Sequence, residues 1–307
     1  MTAVRTPESG ASAMPSGESA SNALRLGIAP HRLWPGNAAE IDDVVETART
    51  AEQLGFDHMV AGSHVLAGDL GVTHEPLIML SAIAGATSRI GIATSVLILP
   101  LYNPVVLAHQ TATLDRLSRG RFTLGVGTGW DRAEFDAVGV PFGERGKRAG
   151  EHLEVLSSLW RGESEPRIGI APRTAGGPPV WVGGQSDAAL RRAVRFGSAW
   201  HGSVADPAEL RHIRTRLTEL AEASGIERQP RLTSVAFVVP PGFTAISRDP
   251  GRLLGGGQPT AASIVDELGA LHEAGLHACS IWLPVPAPAF ADAMAWVARE
   301  VLPELGQ

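Results

Sequence analysis

The chain has 307 residues, 44% of them apolar and 19% charged, which suits one large domain with a well-buried core. A formal net charge of −6, with Lys and Arg spread along the chain, gives no electrostatic footprint for nucleic acid. The single cysteine, Cys279, excludes an intramolecular disulfide framework and a multi-cysteine metal site, and no apolar run reaches the ~20 residues that cross a bilayer.

Residues 1–22 are mostly Ser, Gly, Ala, Pro and Glu. They lack the apolar stretch of a secretory signal and are read as a disordered tail, with Met14 as an alternative start and the cytoplasm as the expected compartment. From residue 23 to 307 a single domain is expected, in which strand-like and helix-like segments alternate. Leu24–Ala29 is a short apolar run ending at Pro30. Ala38–Leu54 follows with a helical apolar period closed by Gly55. His58–Ala61 is a second strand, Glu75–Thr87 a helix with Pro76 in its first turn, and Ile90–Leu99 holds a third strand. A helix over Pro104–Leu117 starts after Asn103, a good N-cap. Phe122–Val126 is strand four and Arg145–Trp160 the next helix. The second half repeats the rhythm, with strands at Pro179–Val182, Ala199–His201, Leu232–Val239 and Ala278–Leu283. Helices follow them at Asp187–Phe196, Pro207–Ser224, Ala261–Ala274 and Pro288–Leu302.

Eight strand–helix pairs at this length predict a (β/α)8 barrel, a TIM barrel, with the doubly wound sheet as the main competitor. Two connections are longer than a bare barrel needs, Trp130–Glu144 and Pro240–Pro259, and both fall at the C-terminal face as functional loops. The densest signal is Gly125-Val126-Gly127-Thr128-Gly129-Trp130, a glycine-rich strand end that lets backbone approach a flat or anionic group. It resembles the start of a dinucleotide fingerprint. Trp130, however, stands where a small residue should be, and no helix opens directly on the glycines.

Several motifs together resemble the luciferase-like monooxygenase superfamily. They are Asn103-Pro104 with Leu107–Asp115, Ser118-Arg119-Gly120-Arg121, Gly125–Trp130 with Glu134-Phe135, Gly139-Val140-Pro141-Phe142, and Pro179–Gly184. The wording of the central block is most similar to the F420-dependent branch. The resemblance covers roughly residues 24–305 and implies a (β/α)8 barrel holding coenzyme F420, or alternatively flavin mononucleotide (FMN), at its C-terminal mouth. It further implies a small-molecule substrate and a homodimer, with no metal, nucleic-acid or membrane partner. An F420 user is a hydride-transferring oxidoreductase. An FMN user is a monooxygenase consuming reduced flavin and O2, and a third reading is a flavin-binding relative without turnover.

Site residues follow from that resemblance. His64 is the expected functional histidine, although Ser63 precedes it where F420 enzymes often have Asp. Thr94-Ser95-Val96 ends strand three, and Ser95–Val96 is the expected non-proline cis peptide set against the cofactor ring. Gly127-Thr128-Gly129 flank that ring, and Trp130 is a wall of the substrate pocket. Gly183-Gly184-Gln185-Ser186 offers successive backbone N–H groups at a helix N-terminus for a phosphate, though an ordinary βα turn has the same sequence. Asn103 either caps its helix or touches the cofactor. Glu134 is expected to order its loop or meet Arg145. His31 and His201 lie at the predicted mouth, His109 is structural, and Cys279 is a buried core thiol.

Overall fold

The computed structural model describes residues 23–30, 44–67, 73–203, 206–246 and 252–306. The tail predicted for residues 1–22, the start of the helix expected from Ala38, and His31 lie outside the described residues. Strands and helices alternate: β1 (Arg25–Ile28), α1 (Val44–Leu54), β2 (His58–Ala61), α2 (Pro76–Ala86), β3 (Gly91–Thr94), β4 (Leu97–Ile98), α3 (Pro104–Leu117), β5 (Phe122–Gly127) and α4 (Arg132–Ala137). Then come α5 (Arg145–Arg161), β6 (Val180–Gly183), α6 (Asp187–Phe196), β7 (Ala199–Gly202), α7 (Pro207–Ala223), β8 (Arg231–Phe237), α8 (Ala261–Glu273), β9 (Leu276–Trp282) and α9 (Phe290–Glu300). All pairings between these strands are parallel, in the order β3-β2-β1-β9-β8-β7-β6-β5-β4, and a further β3–β5 pairing closes the sheet into a barrel.

Nine strand segments fill eight barrel positions because the third strand is broken. β3 sets Ile92 and Ala93 against Phe122 and Thr123 of β5, and β4 resumes with Leu97 and Ile98 against Val126 and Gly127. Between them the Ser95–Val96 peptide is cis, at the bond the family resemblance implied. This break accounts for two glycines of β5. A Cβ on Gly125 would lie 1.9 Å from the Thr94 carbonyl oxygen, and one on Gly127 would lie 2.7 Å from Val96 Cγ2. The bare α-carbons expected to admit a ligand instead admit this chain's own β3–β4 segment.

The main core is the sleeve between strands and helices. Outward side chains such as Leu26, Met59, Ile92, Phe122 and Ile281 pack there with Leu80, Leu107, Leu156, Leu217 and Leu268 of the surrounding helices. Fully burying each such residue contributes about 1.5–3 kcal/mol. A smaller cluster fills the barrel's upper interior: Ala29, Val60, Ala93 and Trp282, with Trp181, Val235 and Phe237 packed against them. The Ser118–Arg121 motif locks a turn at the other end. Arg119 (φ 59°) and Gly120 (φ 86°) reverse the chain, and the Arg121 guanidinium donates to the carbonyls of Ser118, Ile90, Ala84 and Thr87. The connection after Trp130 is not structureless. Asp131 caps α4, and a 3₁₀ turn over Phe142–Glu144 leads into α5. The other long connection is pinned where it is described, Ile246 N donating to Pro284 O and Leu254 N to Phe237 O, each at 2.9 Å.

Candidate cofactor site at the barrel mouth

The C-terminal ends of the strands gather most of the expected site residues around one opening. His64 follows β2, and its Nδ1 lies 3.3 Å from both carboxylate oxygens of Glu134 on α4. Glu134 is 1% exposed and also accepts the Val65 backbone N–H at 2.5 Å. Thr73 Oγ1 donates to the His64 carbonyl at 3.0 Å, so the segment is held on two sides. A buried carboxylate facing Nδ1 holds a proton on that nitrogen and fixes the orientation of the ring. Glu134 therefore orients His64 and makes no ion pair with Arg145, which instead donates to the Phe142 carbonyl and stacks on that ring at 3.9 Å. Trp130 stands edge-on to His64, ring centroids 5.8 Å apart, and is 65% exposed. Ser63 is buried near the Tyr102 phenol, which donates to Glu75 Oε1 at 3.1 Å and whose pKa is raised by burial and by Glu75.

Beneath the β3–β4 break runs a buried polar column. His201 Nε2 lies 2.8 Å from Ser95 Oγ, and its Nδ1 lies 2.8 Å from Thr233 Oγ1. The Thr233 hydroxyl gives its own proton to the Trp200 carbonyl at 3.0 Å, so it accepts from Nδ1–H. Nε2 is then the acceptor for the Ser95 hydroxyl. Burial, with a smaller contribution from nearby His58, pulls the His201 pKa down to about 3, which keeps the ring neutral. Trp181 stacks on His201 at 5.1 Å and meets His58 edge-on at 5.6 Å. His58 donates Nδ1–H to Asp57 at 2.8 Å and reaches Ser280 with Nε2 at 2.9 Å. Gly27 makes room for it, since a Cβ there would fall 2.3 Å from the imidazole.

The Gly183–Ser186 turn sits between β6 and α6. Its side chains are committed: Ser186 caps α6 by accepting from Ala189 N, and Gln185 donates to Glu209 at 2.8 Å. Trp200 Nε1 holds the Gly184 carbonyl at 2.8 Å. The backbone N–H groups of Gly184, Gln185 and Ser186 donate to no other described backbone group, so the turn keeps the donors a phosphate needs. Asp187, first in α6, is countered by Arg216 at 3.0 Å. Asn103 Oδ1 accepts from Val105 N and Val106 N, which makes it a helix cap. His109 lies on the exposed side of α3. Cys279 is buried, and burial pushes its thiol pKa up to about 12.

A flat tricyclic ring fits this mouth in its chemistry. The floor is the apolar cluster of Ala29, Val60, Ala93 and Trp282, and the indole N–H of Trp282 is buried with no hydrogen-bond partner. Such a donor costs about 1–3 kcal/mol unless a ligand or water takes it. Among the described residues no group of three or more His, Cys, Asp or Glu is placed to hold a metal ion, and no helix is long and apolar enough to cross a membrane.

Three comparisons bear on this arrangement. An uncharacterised protein of Mycobacterium tuberculosis (strain ATCC 25618 / H37Rv) is 34% identical over 160 residues, 49% of this chain and 55% of that protein. The chain thus spans about half the length of such curated relatives. An F420-dependent secondary alcohol dehydrogenase, solved with an F420–acetone adduct, superposes with a TM-score of 0.72 at 17% identity, over 92% of this chain and 99% of that one. The oxygenating constituent of 3,6-diketocamphane monooxygenase from Pseudomonas putida, solved with FMN, gives 0.74 at 17% identity, over 92% and 98%. At these identities the structural likeness is one of fold. The family profile described as luciferase-like monooxygenase matches residues 26–250, and the chain belongs to that family.

Proposed function

We propose that this chain is an F420-dependent oxidoreductase that transfers a hydride between the deazaflavin coenzyme and a small organic substrate. The observation that carries the reading is the His64–Glu134 pair. Glu134 holds the imidazole proton at Nδ1, so His64 Nε2 can take a proton from a substrate hydroxyl or return one to its oxygen. When bound, the coenzyme supplies the carbon that accepts or gives the hydride. Thr94, Ser95 and Val96 form one wall of the slot, with Gly127, Thr128 and Gly129 beside it. The backbone N–H groups of Gly184, Gln185 and Ser186 serve the phosphate at the start of α6. Trp130 closes the substrate side above His64 and limits water there. The F420-dependent alcohol dehydrogenase among the structural neighbours supports the reading.

A second reading, an FMN-dependent monooxygenase using reduced flavin and O2, is favoured by Ser63 in place of an acid before His64 and by the FMN-bound neighbour. The test is a fluorescence titration of the purified protein with F420 and, separately, FMN. Binding of F420 at least tenfold tighter than FMN is the expected result, whereas FMN binding with none for F420 transfers the chain to the second reading. The homodimer is part of the proposal. α2 carries no charged residue and exposes Ile78, and neighbouring α3 exposes Val105, Val106 and Leu117, a surface suited to a second copy.

A further inference from the structure

The barrel's other end holds a second cavity, of about 650 Å³, lined by the first residues of its strands, among them Arg25, His58, Gly91, Arg231 and His277. Five guanidinium groups border it, those of Arg25, Arg89, Arg121, Arg228 and Arg231, against one carboxylate, Asp57. The imbalance runs against the chain as a whole, whose formal charge is −6. Arg121 is consumed by the turn it locks, and Arg89 reaches the Glu52 carbonyl at 3.3 Å. The remaining three surround one wall. Arg25 gives Asp57 its Nε at 2.7 Å rather than its terminal nitrogens. Arg231 donates Nη1 to His277 Nε2 at 3.0 Å, and Arg228 gives Nη1 to the Gly197 carbonyl at 2.5 Å. His277 reports the resulting field. Burial first, then the charges of Arg231 and Arg25, bring its pKa down to about 4, so it adds no positive charge of its own near neutrality and acts as an acceptor for Arg231.

We propose that this basal cavity is a binding site for a small polyanion carrying two or more phosphoryl or carboxylate groups, seated between Arg25, Arg228 and Arg231. Guanidinium groups pair with such groups through parallel N–H donors, and a concave site lined by one sign of charge concentrates the opposite one. The volume suits a compact metabolite rather than a chain of nucleotides. The site lies at the far end of the barrel from His64 and Ser95, so it is separate from the cofactor mouth. Its inner wall nevertheless includes His58, Trp181 and Thr233, the lower members of the column that ends on Ser95.

The experiment is thermal unfolding of the full chain with pyrophosphate, with citrate, and with NaCl at matched ionic strength. At a hundredfold excess over Kd, a ligand of the folded state should raise Tm by roughly 4 °C. A rise with pyrophosphate alone identifies phosphoryl groups as the ligand chemistry, a rise with citrate alone identifies carboxylates, and a rise with both means either serves. The rise must shrink by at least half in both Arg228→Gln and Arg231→Gln, exposed positions at which the fold should tolerate the change. No rise beyond the NaCl control overturns the proposal. So does a rise unchanged in the arginine variants, which would place the anion elsewhere on the chain.

Discussion

Replacing Gly125 by Ala tests the claim that the glycines of β5 serve the broken third strand. The new Cβ would sit 1.9 Å from the Thr94 carbonyl oxygen, a backbone atom that no rotamer change can move. An ordinary carbon–oxygen contact begins near ~3.3 Å, so the end of β3 must retreat by more than about 1 Å. Three hydrogen bonds depend on that end: Thr94 Oγ1 to Gly125 O at 2.6 Å, Ser95 N to Ala61 O at 2.6 Å, and Ser95 Oγ to His201 Nε2 at 2.8 Å. At about 1 kcal/mol each, plus about 1–3 kcal/mol for overpacking, the loss comes to roughly 4–6 kcal/mol. That is a large part of the ~5–15 kcal/mol a domain has. Gly127→Ala meets only the flexible end of Val96, at 2.7 Å, and should cost about 1–3 kcal/mol. Gly85→Ala, within α2 and with nothing inside 4 Å, should gain about 0.5–1 kcal/mol. Urea unfolding followed by tryptophan fluorescence ranks the three. A Gly125→Ala protein within 1 kcal/mol of the parent would refute the packing argument.

Three further outcomes are expected. Glu134→Gln keeps an acceptor for Val65 N but turns an amide N–H toward His64 Nδ1, so the ring proton should move to Nε2. ¹⁵N NMR of labelled histidine should show that change of tautomer, and the hydride transfer proposed for the site should fall by about 10²-fold or more, while stability drops by only about 1–2 kcal/mol; an unchanged tautomer removes Glu134 from the site. His201 has its folded pKa depressed from 6.5 to about 3, so the unfolded chain takes up a proton the folded one refuses. Its contribution is therefore complete above about pH 6.5 and is lost as the pH falls toward 3, with about 2 kcal/mol gone by pH 5. His201→Gln should flatten that part of the pH–stability curve, and an equal slope in both proteins contradicts the assignment. Lastly, Ile78→Asp with Val106→Asp should convert a dimer to a monomer in sedimentation equilibrium, and a parent that is already monomeric at micromolar concentration rules the interface out.

Elements with local causes were legible in the chain. Helix periods, the Asn103 cap and the Ser186 turn each depend on residues within four positions, and the structure has them where expected. Boundaries moved where context decided: β9 begins at Leu276 and α9 at Phe290, after a 3₁₀ turn over Ala287–Ala289. The irregular point of the third strand, Ser95–Val96, was marked by the family resemblance, but nothing in the residue pattern foretold that Leu97–Ile98 would resume pairing with β5 as a separate strand. The partner of Glu134 was illegible for a different reason, and of the two expected roles only the pairing with Arg145 fails. Its partner His64 is 70 residues away, and the only nearby cue is that Glu134 sits beside Phe135, fully buried, on a six-residue helix. A carboxylate adjoining a buried aromatic on so short a helix signals an internal partner, though not which one.

The polar column through the barrel follows the same logic of alternation. In a strand every second side chain points inward, so Trp181 with Gly183, Ala199 with His201, and Thr233 with Val235 and Phe237 all face the interior. Barrels are ordinarily packed there with branched aliphatic residues. This one instead places two imidazoles, an indole between them, and the hydroxyls of Ser95, Thr233 and Ser280. Each imidazole nitrogen and each hydroxyl of the column has a partner, so these groups avoid the ~1–3 kcal/mol cost of an unmade buried bond. An aliphatic plug would pack as well, but it would leave the Ser95 hydroxyl without its acceptor and free the segment that breaks the third strand. The column is best understood as the support that fixes the β3–β4 break against the mouth. The position of Ser95 is thereby tied to His201 and Thr233, which lie below the opening in the barrel.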